Sequence, residues 1–202
     1  MGMSRVLSSL KKLSLGVFAT SLATVGGAFA AANMNTTGYT TQPIGHYEFC
    51  KELPQECKRV GRNVAPHSLT RASWKSIVDV NNAVNIKIAP LTDMDIWGKL
   101  EVWSYPDTVG DCEDYVLLKR YHLIKAGLHP SNLLVTVVKQ RNGDGHAVLT
   151  VRTDRGDFIL DNLEGAVNDW RDTPYTYLKR QSSDHAGRWV AIEDGRKRLA
   201  QK

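Results

Sequence analysis

The chain has 202 residues, of which 42% are hydrophobic and 23% charged, a balance typical of one globular domain. Its 16 glycines and 7 prolines exclude collagen-like and Pro/Gly-rich disordered classes, and 3 cysteines are too few for a disulfide-dense scaffold. The net charge of +5 does not indicate nucleic-acid binding, because 3 of the 26 cations and none of the 21 acids lie in residues 1–30. The remainder carries only +2, with no basic stripe of interleaved aromatic residues.

Residues 1–30 have the pattern of a secretory signal peptide. Three basic residues precede an apolar stretch at 13–29, and Ala28-Phe29-Ala30 offers a cleavage site before Ala31. An uncleaved membrane anchor is the alternative, but the stretch is short and Gly26-Gly27 interrupts it. We expect residues 31–202 to form a single domain in the periplasm or the medium.

Export makes disulfides possible, so the three cysteines are informative. Cys50 and Cys57 are separated by six residues around the turn-forming Pro54, and we predict a local disulfide between them. The alternatives are two free thiols or a metal site, for which one cysteine pair is a weak signal. Cys112 is then left as an unpaired thiol.

The first half of the exported chain contains one well-marked helix. Residues 31–48 are polar and are expected to form a mobile entry segment. Apolar positions recur at helical spacing across 68–88, with Thr70 as the predicted N-cap and Pro90 as the stop. Residues 91–110 are expected to be a connecting region.

A second helix and a run of strands follow. Asp111 is the predicted N-cap and Gly127 the stop, and the apolar stripe of this helix consists of Leu117, Tyr121, Ile124 and Leu128. Strands are predicted at 133–138, 146–152 and 157–161, with a hairpin turn at 153–156, and a last strand at 189–192. Helices first and an antiparallel meander later indicate an α+β fold.

Three residues on these elements form a candidate catalytic triad. Cys112 begins the second helix, where free N–H groups and the helix dipole favour a thiolate. His146 opens one strand and Asp161 closes the next, and a hairpin that pairs Thr153 with Asp154 places them opposite each other. A carboxylate that orients an imidazole, which in turn activates a thiol, is the arrangement of a nucleophilic hydrolase. Each residue alone has a structural explanation, and the combination favours catalysis.

We expect four other histidines to be structural: His67, His122, His129 and His185. Of these, His122 is the reserve candidate for the catalytic base.

Three carboxylates surround the candidate nucleophile. Asp111, Glu113 and Asp114 would raise the pKa of the Cys112 thiol unless a cation neutralised them. Clustered oxygen ligands suit Ca²⁺, although the spacing is not that of an EF-hand. Ordinary acid enrichment in the first turn of a helix is the alternative.

Several segments resemble the bacterial transglutaminase-like cysteine proteinases, a family that includes the periplasmic LapG-type adhesin proteases. The segments that carry the resemblance are Gly110-Asp-Cys-Glu-Asp-Tyr115 with Lys119, Gly145-His-Ala-Val148, Leu160-Asp-Asn162, Val80-Asn-Asn-Ala-Val-Asn85, Tyr177-Leu-Lys-Arg-Gln-Ser182 and the Cys50/Cys57 pair. The resemblance spans residues 45–193 and implies a papain-like, transglutaminase-like fold, with N-terminal helices packed on an antiparallel sheet.

The resemblance also implies site chemistry. It implies a triad at Cys112, His146 and Asp161, and Ca²⁺ dependence with ligands at Asp111 and Glu113, to which we add Asp114. Trp103 is a weaker candidate for binding the oxyanion, with a core aromatic as the alternative. No organic cofactor is expected.

LapG-type members cleave large surface adhesins and are inhibited by an inner-membrane cyclic-di-GMP receptor, so an adhesin and such a receptor are the expected partners. We therefore expect an exported cysteine endopeptidase. A transglutaminase or amidase with the same triad, or a non-catalytic secreted binding module, are the alternatives.

Overall fold

The computed structural model of the protein describes residues 1–2, 33–61 and 64–194. The predicted signal peptide lies outside the described residues except for its first two positions. Within the described part of the chain, no helix has the length and apolar character needed to cross a membrane.

The architecture is a seven-stranded antiparallel sheet with helices packed on it, as the α+β prediction requires. The strands follow the order β1-β9-β8-β4-β5-β6-β7. Their bounds are β1 Thr36–Thr40, β4 Leu133–Lys139, β5 Gly145–Thr153, β6 Gly156–Leu160, β7 Asn168–Asp169, β8 Thr176–Gln181 and β9 Trp189–Ile192, and two short strands, β2 Ala89–Pro90 and β3 Val109–Gly110, pair in parallel. The helices are α1 Ile44–Glu52, α2 Arg71–Lys87, α3 Asp93–Trp97 and α4 Cys112–Lys125.

Helix α2 has the predicted start and end. The Thr70 side chain accepts a hydrogen bond from the Ser73 N–H, and the Ser73 side chain accepts one from the Thr70 N–H, which completes a capping box. The helix ends before Pro90, and its buried positions face α4. These buried positions include Asn81 beside Ile77 and Val84, so the inner face of α2 is not purely apolar.

Helix α4 is buried far more extensively than its apolar stripe predicts. The eight residues Glu113–Arg120 are all buried, because the helix lies between α2 and strands β4 and β5. Tyr121, expected in the inward stripe, is instead 43% exposed. Asp111 is the N-cap residue by position but makes no capping hydrogen bond with its side chain. Gly127 adopts a φ of 96°, a conformation that favours glycine just beyond a helix end.

The prediction of a mobile entry segment at 31–48 is wrong. Its described part, residues 33–48, contains β1, which pairs with β9, and the start of α1. Strand β1 is exposed along nearly its whole length, so it has no alternation of apolar residues that would reveal it. The connecting region 91–110 likewise contains the short helix α3 and strand β3.

The β5–β6 hairpin is confirmed, but its register differs from the predicted one. Thr153 pairs with Gly156, and Leu149 pairs with Leu160, around a two-residue turn. The expected pairing of Thr153 with Asp154 leaves no residue to make a turn, so every partner moves by two positions. Because side chains alternate with a period of two, the shift keeps each residue on its expected face of the sheet.

The predicted disulfide between Cys50 and Cys57 is present. It joins α1 to the short 3₁₀ turn Pro54–Cys57. Cys112 is the free cysteine of the described chain.

Replacing both Cys50 and Cys57 by Ala should lower the free energy of unfolding by about 2.5 kcal/mol, because the unfolded chain gains the freedom of an open loop. Urea unfolding of the oxidised protein measures the change. Tyr47→Ala, on an exposed position of the same helix, is the control. An unchanged midpoint in the double variant would contradict the prediction.

Candidate active site

A cleft of about 470 Å³ opens between the N-terminal parts of α1 and α4 and strand β5. Cys112 and His146 both line it. The other lining residues include Pro43, Ile44, Glu101, Trp103, Glu113 and Lys179. Two of the three residues predicted to act in catalysis therefore share one cavity.

Cys112 occupies the first position of α4 and is partly buried. Its Sγ donates a hydrogen bond to Glu113 Oε2 at 3.1 Å. Burial raises the pKa of the Cys112 thiol well above its usual value, and the neighbouring Glu113 adds to the increase. The helix N-terminus therefore does not by itself lower the pKa of the Cys112 thiol.

His146 and Asp161 form a buried pair. His146 Nε2 lies 2.8 Å from Asp161 Oδ1, and both side chains are almost fully buried. Burial alone would raise the pKa of Asp161, but the hydrogen bond and charge of His146 outweigh it, and the pKa is lowered. An ionised Asp161 accepts the Nε2 proton of His146, which leaves Nδ1 as the ring nitrogen that can take a proton from a thiol.

Two further groups hold the Asp161 carboxylate. The Leu163 N–H donates to Oδ1 at 3.0 Å, and the Tyr175 hydroxyl donates to Oδ2. The Tyr175 ring lies 5.5 Å from the His146 ring, centroid to centroid. Sequence reasoning missed Tyr175, because it lies in the loop before β8 and belongs to no recognisable motif.

The acidic residues divide into two groups in the structure. Side-chain oxygens of Asp93, Asp111 and Glu113 all lie within 4.8 Å of one another. Asp114 is outside this cluster, and its Oδ1 accepts hydrogen bonds from the N–H of Ser104 at 2.7 Å and from its hydroxyl at 3.3 Å. Burial raises the pKa of Asp114 to about 7.

Sequence reasoning did not include Asp93, which is 18 positions before Asp111. The parallel pairing of β2 with β3 brings Asp93 and Asp111 together. Pro90 pairs with Gly110, and because the strands are parallel, the chain leaves both residues in the same direction. A short parallel bridge of this kind has no pattern that a sequence would reveal.

The three clustered carboxylates suit a hard cation. Asp93 Oδ1 and Asp111 Oδ1 are buried and have no hydrogen-bond partner among the described residues. Burial, followed by the charge of Asp111, raises the pKa of Glu113 to about 9. Buried carboxylate oxygens with no donor are costly unless a cation compensates them, and oxygen ligands of this kind are those that Ca²⁺ prefers.

Trp103 forms one wall of the cleft. Its indole N–H donates to Glu101 Oε2 at 3.2 Å, so the group suggested for the oxyanion is engaged by a carboxylate. A Cβ atom at Gly45 would lie 2.4 Å from the Trp103 ring, so α1 packs directly against this wall. His46, which the sequence reasoning did not consider, lies behind it with ring centroids 5.1 Å apart, and burial lowers the pKa of His46 to about 3.

The reserve candidate His122 is not among the residues that line the cleft, and neither are His67, His129 and His185.

The buried acidic cluster generates a pH prediction for the chelator-treated protein. The folded state holds a proton on Glu113 up to pH 9 or so, whereas the unfolded state releases it near pH 4.5. This carboxyl therefore destabilises the fold increasingly as pH rises between those values. The difference in free energy of unfolding between Glu113→Gln and wild type should increase in favour of the variant by about 1–3 kcal/mol from pH 6 to pH 8. Urea unfolding of both proteins at pH 6 and at pH 8 measures this increase. A difference between the two proteins that is the same at both pH values would contradict the prediction.

The fold is similar to that of solved structures of one bacterial protein. Legionella pneumophila LapG matches with a TM-score of 0.50 and 24% identity, over 61% of this chain and 71% of that one. Calcium-bound Legionella pneumophila LapG matches with a TM-score of 0.51 and 21% identity, over 75% of this chain and 82% of that one. A search of the curated proteins finds no match.

The fold is thus transglutaminase-like, as the sequence resemblance implied. The family model for the bacterial transglutaminase-like cysteine proteinases matches residues 36–197. This match covers every element of the sheet, the free cysteine and the buried histidine–aspartate pair. The chain belongs to the bacterial transglutaminase-like cysteine proteinases and is a cysteine peptidase of that family.

Proposed function

We propose that the protein is an exported endopeptidase that hydrolyses a protein substrate with Cys112 as nucleophile, His146 as general acid–base and Asp161 as the orienting carboxylate. The observation that carries the proposal is the hydrogen bond between Asp161 and His146, together with the place of His146 in the cleft that also contains Cys112. The family supports peptide hydrolysis as the reaction class.

In the first half-reaction, His146 Nδ1 takes the thiol proton, and the Cys112 thiolate attacks the carbonyl carbon of the peptide bond. The C–N bond then breaks as the imidazolium returns this proton to the leaving amine. Asp161 keeps its own negative charge throughout and stabilises the imidazolium through Nε2.

In the second half-reaction, His146 removes a proton from water, and the hydroxide attacks the thioester. The carboxylic acid product leaves, and the proton returns to the Cys112 sulfur. The backbone N–H of Cys112, at the first position of α4, has no helical partner and supplies the oxyanion donor.

Cys112→Ala and His146→Ala should abolish turnover, and Asp161→Asn should lower kcat by about 10³–10⁴-fold, because the amide cannot stabilise the imidazolium. Peptide hydrolysis, followed by mass spectrometry of the products, measures these losses. Release of ammonia together with formation of an isopeptide bond, in the presence of an amine, would separate transglutaminase activity from peptide hydrolysis. Asp144→Asn, an exposed carboxylate in the β4–β5 loop, is the matched control, and full activity in Cys112→Ala would disprove the mechanism.

We propose further that Asp93, Asp111 and Glu113 hold a Ca²⁺ ion that full activity requires. The two unpartnered carboxylate oxygens support this, as does the calcium-bound state of the related LapG structure. A bound divalent cation supplies positive charge beside the thiol and compensates Glu113, the side chain that raises the Cys112 pKa. Asp114 is left out of the ligand set because it lies outside the cluster and its Oδ1 already accepts two hydrogen bonds from Ser104.

Ca²⁺ at 100-fold above its dissociation constant should raise the free energy of unfolding by about 2.7 kcal/mol and increase the rate of Cys112 alkylation by iodoacetamide. Chelation should reverse both effects, and Mg²⁺ should substitute poorly because it demands a tighter octahedral site. Asp93→Asn should weaken the response to Ca²⁺, whereas Asp107→Asn, an exposed neighbour, should not. If calorimetry detects no Ca²⁺ binding, the metal proposal is wrong.

The substrate we propose is an extended protein segment, with a large cell-surface adhesin as the first candidate. Apolar walls at Pro43, Ile44 and Trp103 suit small or apolar side chains on either side of the cleaved bond. The family resemblance supports the adhesin, and it makes an inner-membrane cyclic-di-GMP receptor the first inhibitor to consider. Both partners require that the protein is exported, and we propose that the mature chain starts at Ala31 and lies in the periplasm or the medium.

A further inference from the structure

Two asparagines of α2 contact the chain segment that carries Asp161. Asn85 Nδ2 donates to the backbone carbonyl of Asp161 at 2.8 Å, and Asn81 Nδ2 donates to that of Gly165 at 2.9 Å. The two side chains are one helical turn apart, so they lie on the same face of α2. They therefore hold the segment 161–165 at its first and last residues.

This segment lacks the hydrogen bonds that fix the strands. The β5–β6 ladder stops at the pairing of Leu149 with Leu160, and 161–167 has no regular secondary structure. Asp161 is the first residue beyond the ladder. Its backbone is held by a side chain from α2, and its carboxylate is the group that orients His146.

Helix α2 is packed against α4. Ile77, about one helical turn before Asn81, belongs to the same buried core cluster as Val116 and Leu117 of α4. A side chain that projects from such a helix fixes its partner more narrowly than a loop contact does.

The two asparagines are also costly residues for a core. Asn81 is fully buried, and the Oδ1 atoms of both residues are buried without a hydrogen-bond partner among the described residues. An apolar residue would fill either position without an orphaned oxygen. What the two asparagines add to the structure is a hydrogen bond from each side-chain amide N–H to the backbone of the 161–165 segment.

We propose that Asn81 and Asn85 are positioning residues that fix the Asp161 segment and, through it, the orientation of the His146 imidazole. The inference rests on the proposed roles of Asp161 and His146. It explains why the Val80–Asn85 segment, which is far from the catalytic motifs along the chain, contains polar residues on a buried helix face.

The test compares Asn85→Ala, Asn81→Ala and the isosteric Asn85→Asp, which replaces the amide donor by a carboxylate. The first readout is the downfield proton resonance of His146 Nε2–H, assigned by its loss in Asp161→Asn. In the three α2 variants this resonance should shift upfield and exchange faster with water. The second readout is peptide hydrolysis, for which kcat should fall by about 10–100-fold with KM unchanged, because misplacement of a catalytic group affects the chemical step.

Two controls lie on the same helix. Asn82→Ala removes an exposed asparagine and should leave both readouts at their wild-type values. Val84→Ala, buried between the two asparagines, lowers stability through packing alone. At a matched decrease in Tm, it should preserve the His146 resonance.

The outcomes separate the two proposals. An unchanged resonance and kcat in the folded asparagine variants would overturn the positioning role, as would an equal effect in Val84→Ala. If Cys112→Ala and Asp161→Asn retain wild-type hydrolysis, the proposed mechanism fails, while the resonance still tests the contact between α2 and Asp161. Should Asn85→Asp fail to fold, the two alanine variants, which introduce no buried charge, carry the same test.

Discussion

The burial of the first two turns of α4 is the constraint on which the rest of the structure depends. The helix fills the space between α2 and the sheet, and eight consecutive residues after Cys112 are excluded from solvent. A helix held in this way cannot slide or rotate without opening the core. Its first residue therefore keeps a fixed position beside β5, where His146 and Ala147 line the same cleft.

The same burial places charged groups where they are costly. Lys119, in the middle of α4, is fully buried, and its Nζ has no hydrogen-bond partner among the described residues. Burial lowers the pKa of Lys119 to about 7, although the negative charge of Asp161 opposes the decrease. A buried amine in this position costs stability, and the negative charge of Asp161 offsets part of this cost.

Two buried carboxylates of the site behave in opposite ways, because their donors differ. Asp161 receives hydrogen bonds from His146, Tyr175 and the Leu163 N–H, which together keep its pKa low. Glu113 has the Cys112 thiol and another carboxylate as neighbours, and its pKa rises to about 9. The imidazole–carboxylate pair is thus complete within the protein chain, whereas two buried carboxylate oxygens of the acidic cluster have no hydrogen-bond donor among the described residues.

The sequence by itself determined the features that depend on neighbours along the chain. The N-cap at Thr70, the hairpin turn within 153–156 and the short Cys50–Cys57 loop are local, so residue type and spacing predict them, although the predicted register of the hairpin was displaced by two positions. Cys112 at a helix start and His146 at the start of the first strand of the β5–β6 hairpin also follow from local pattern. Only the tertiary structure decided which distant segments contact each other. It places Asp93 beside Asp111, and it directs the side chains of Tyr175 and Asn85 to Asp161. It also places β1 at the edge of the sheet. The physical reason is that these contacts join residues far apart in sequence through short bridges or single side-chain hydrogen bonds, which impose no periodic pattern on either segment.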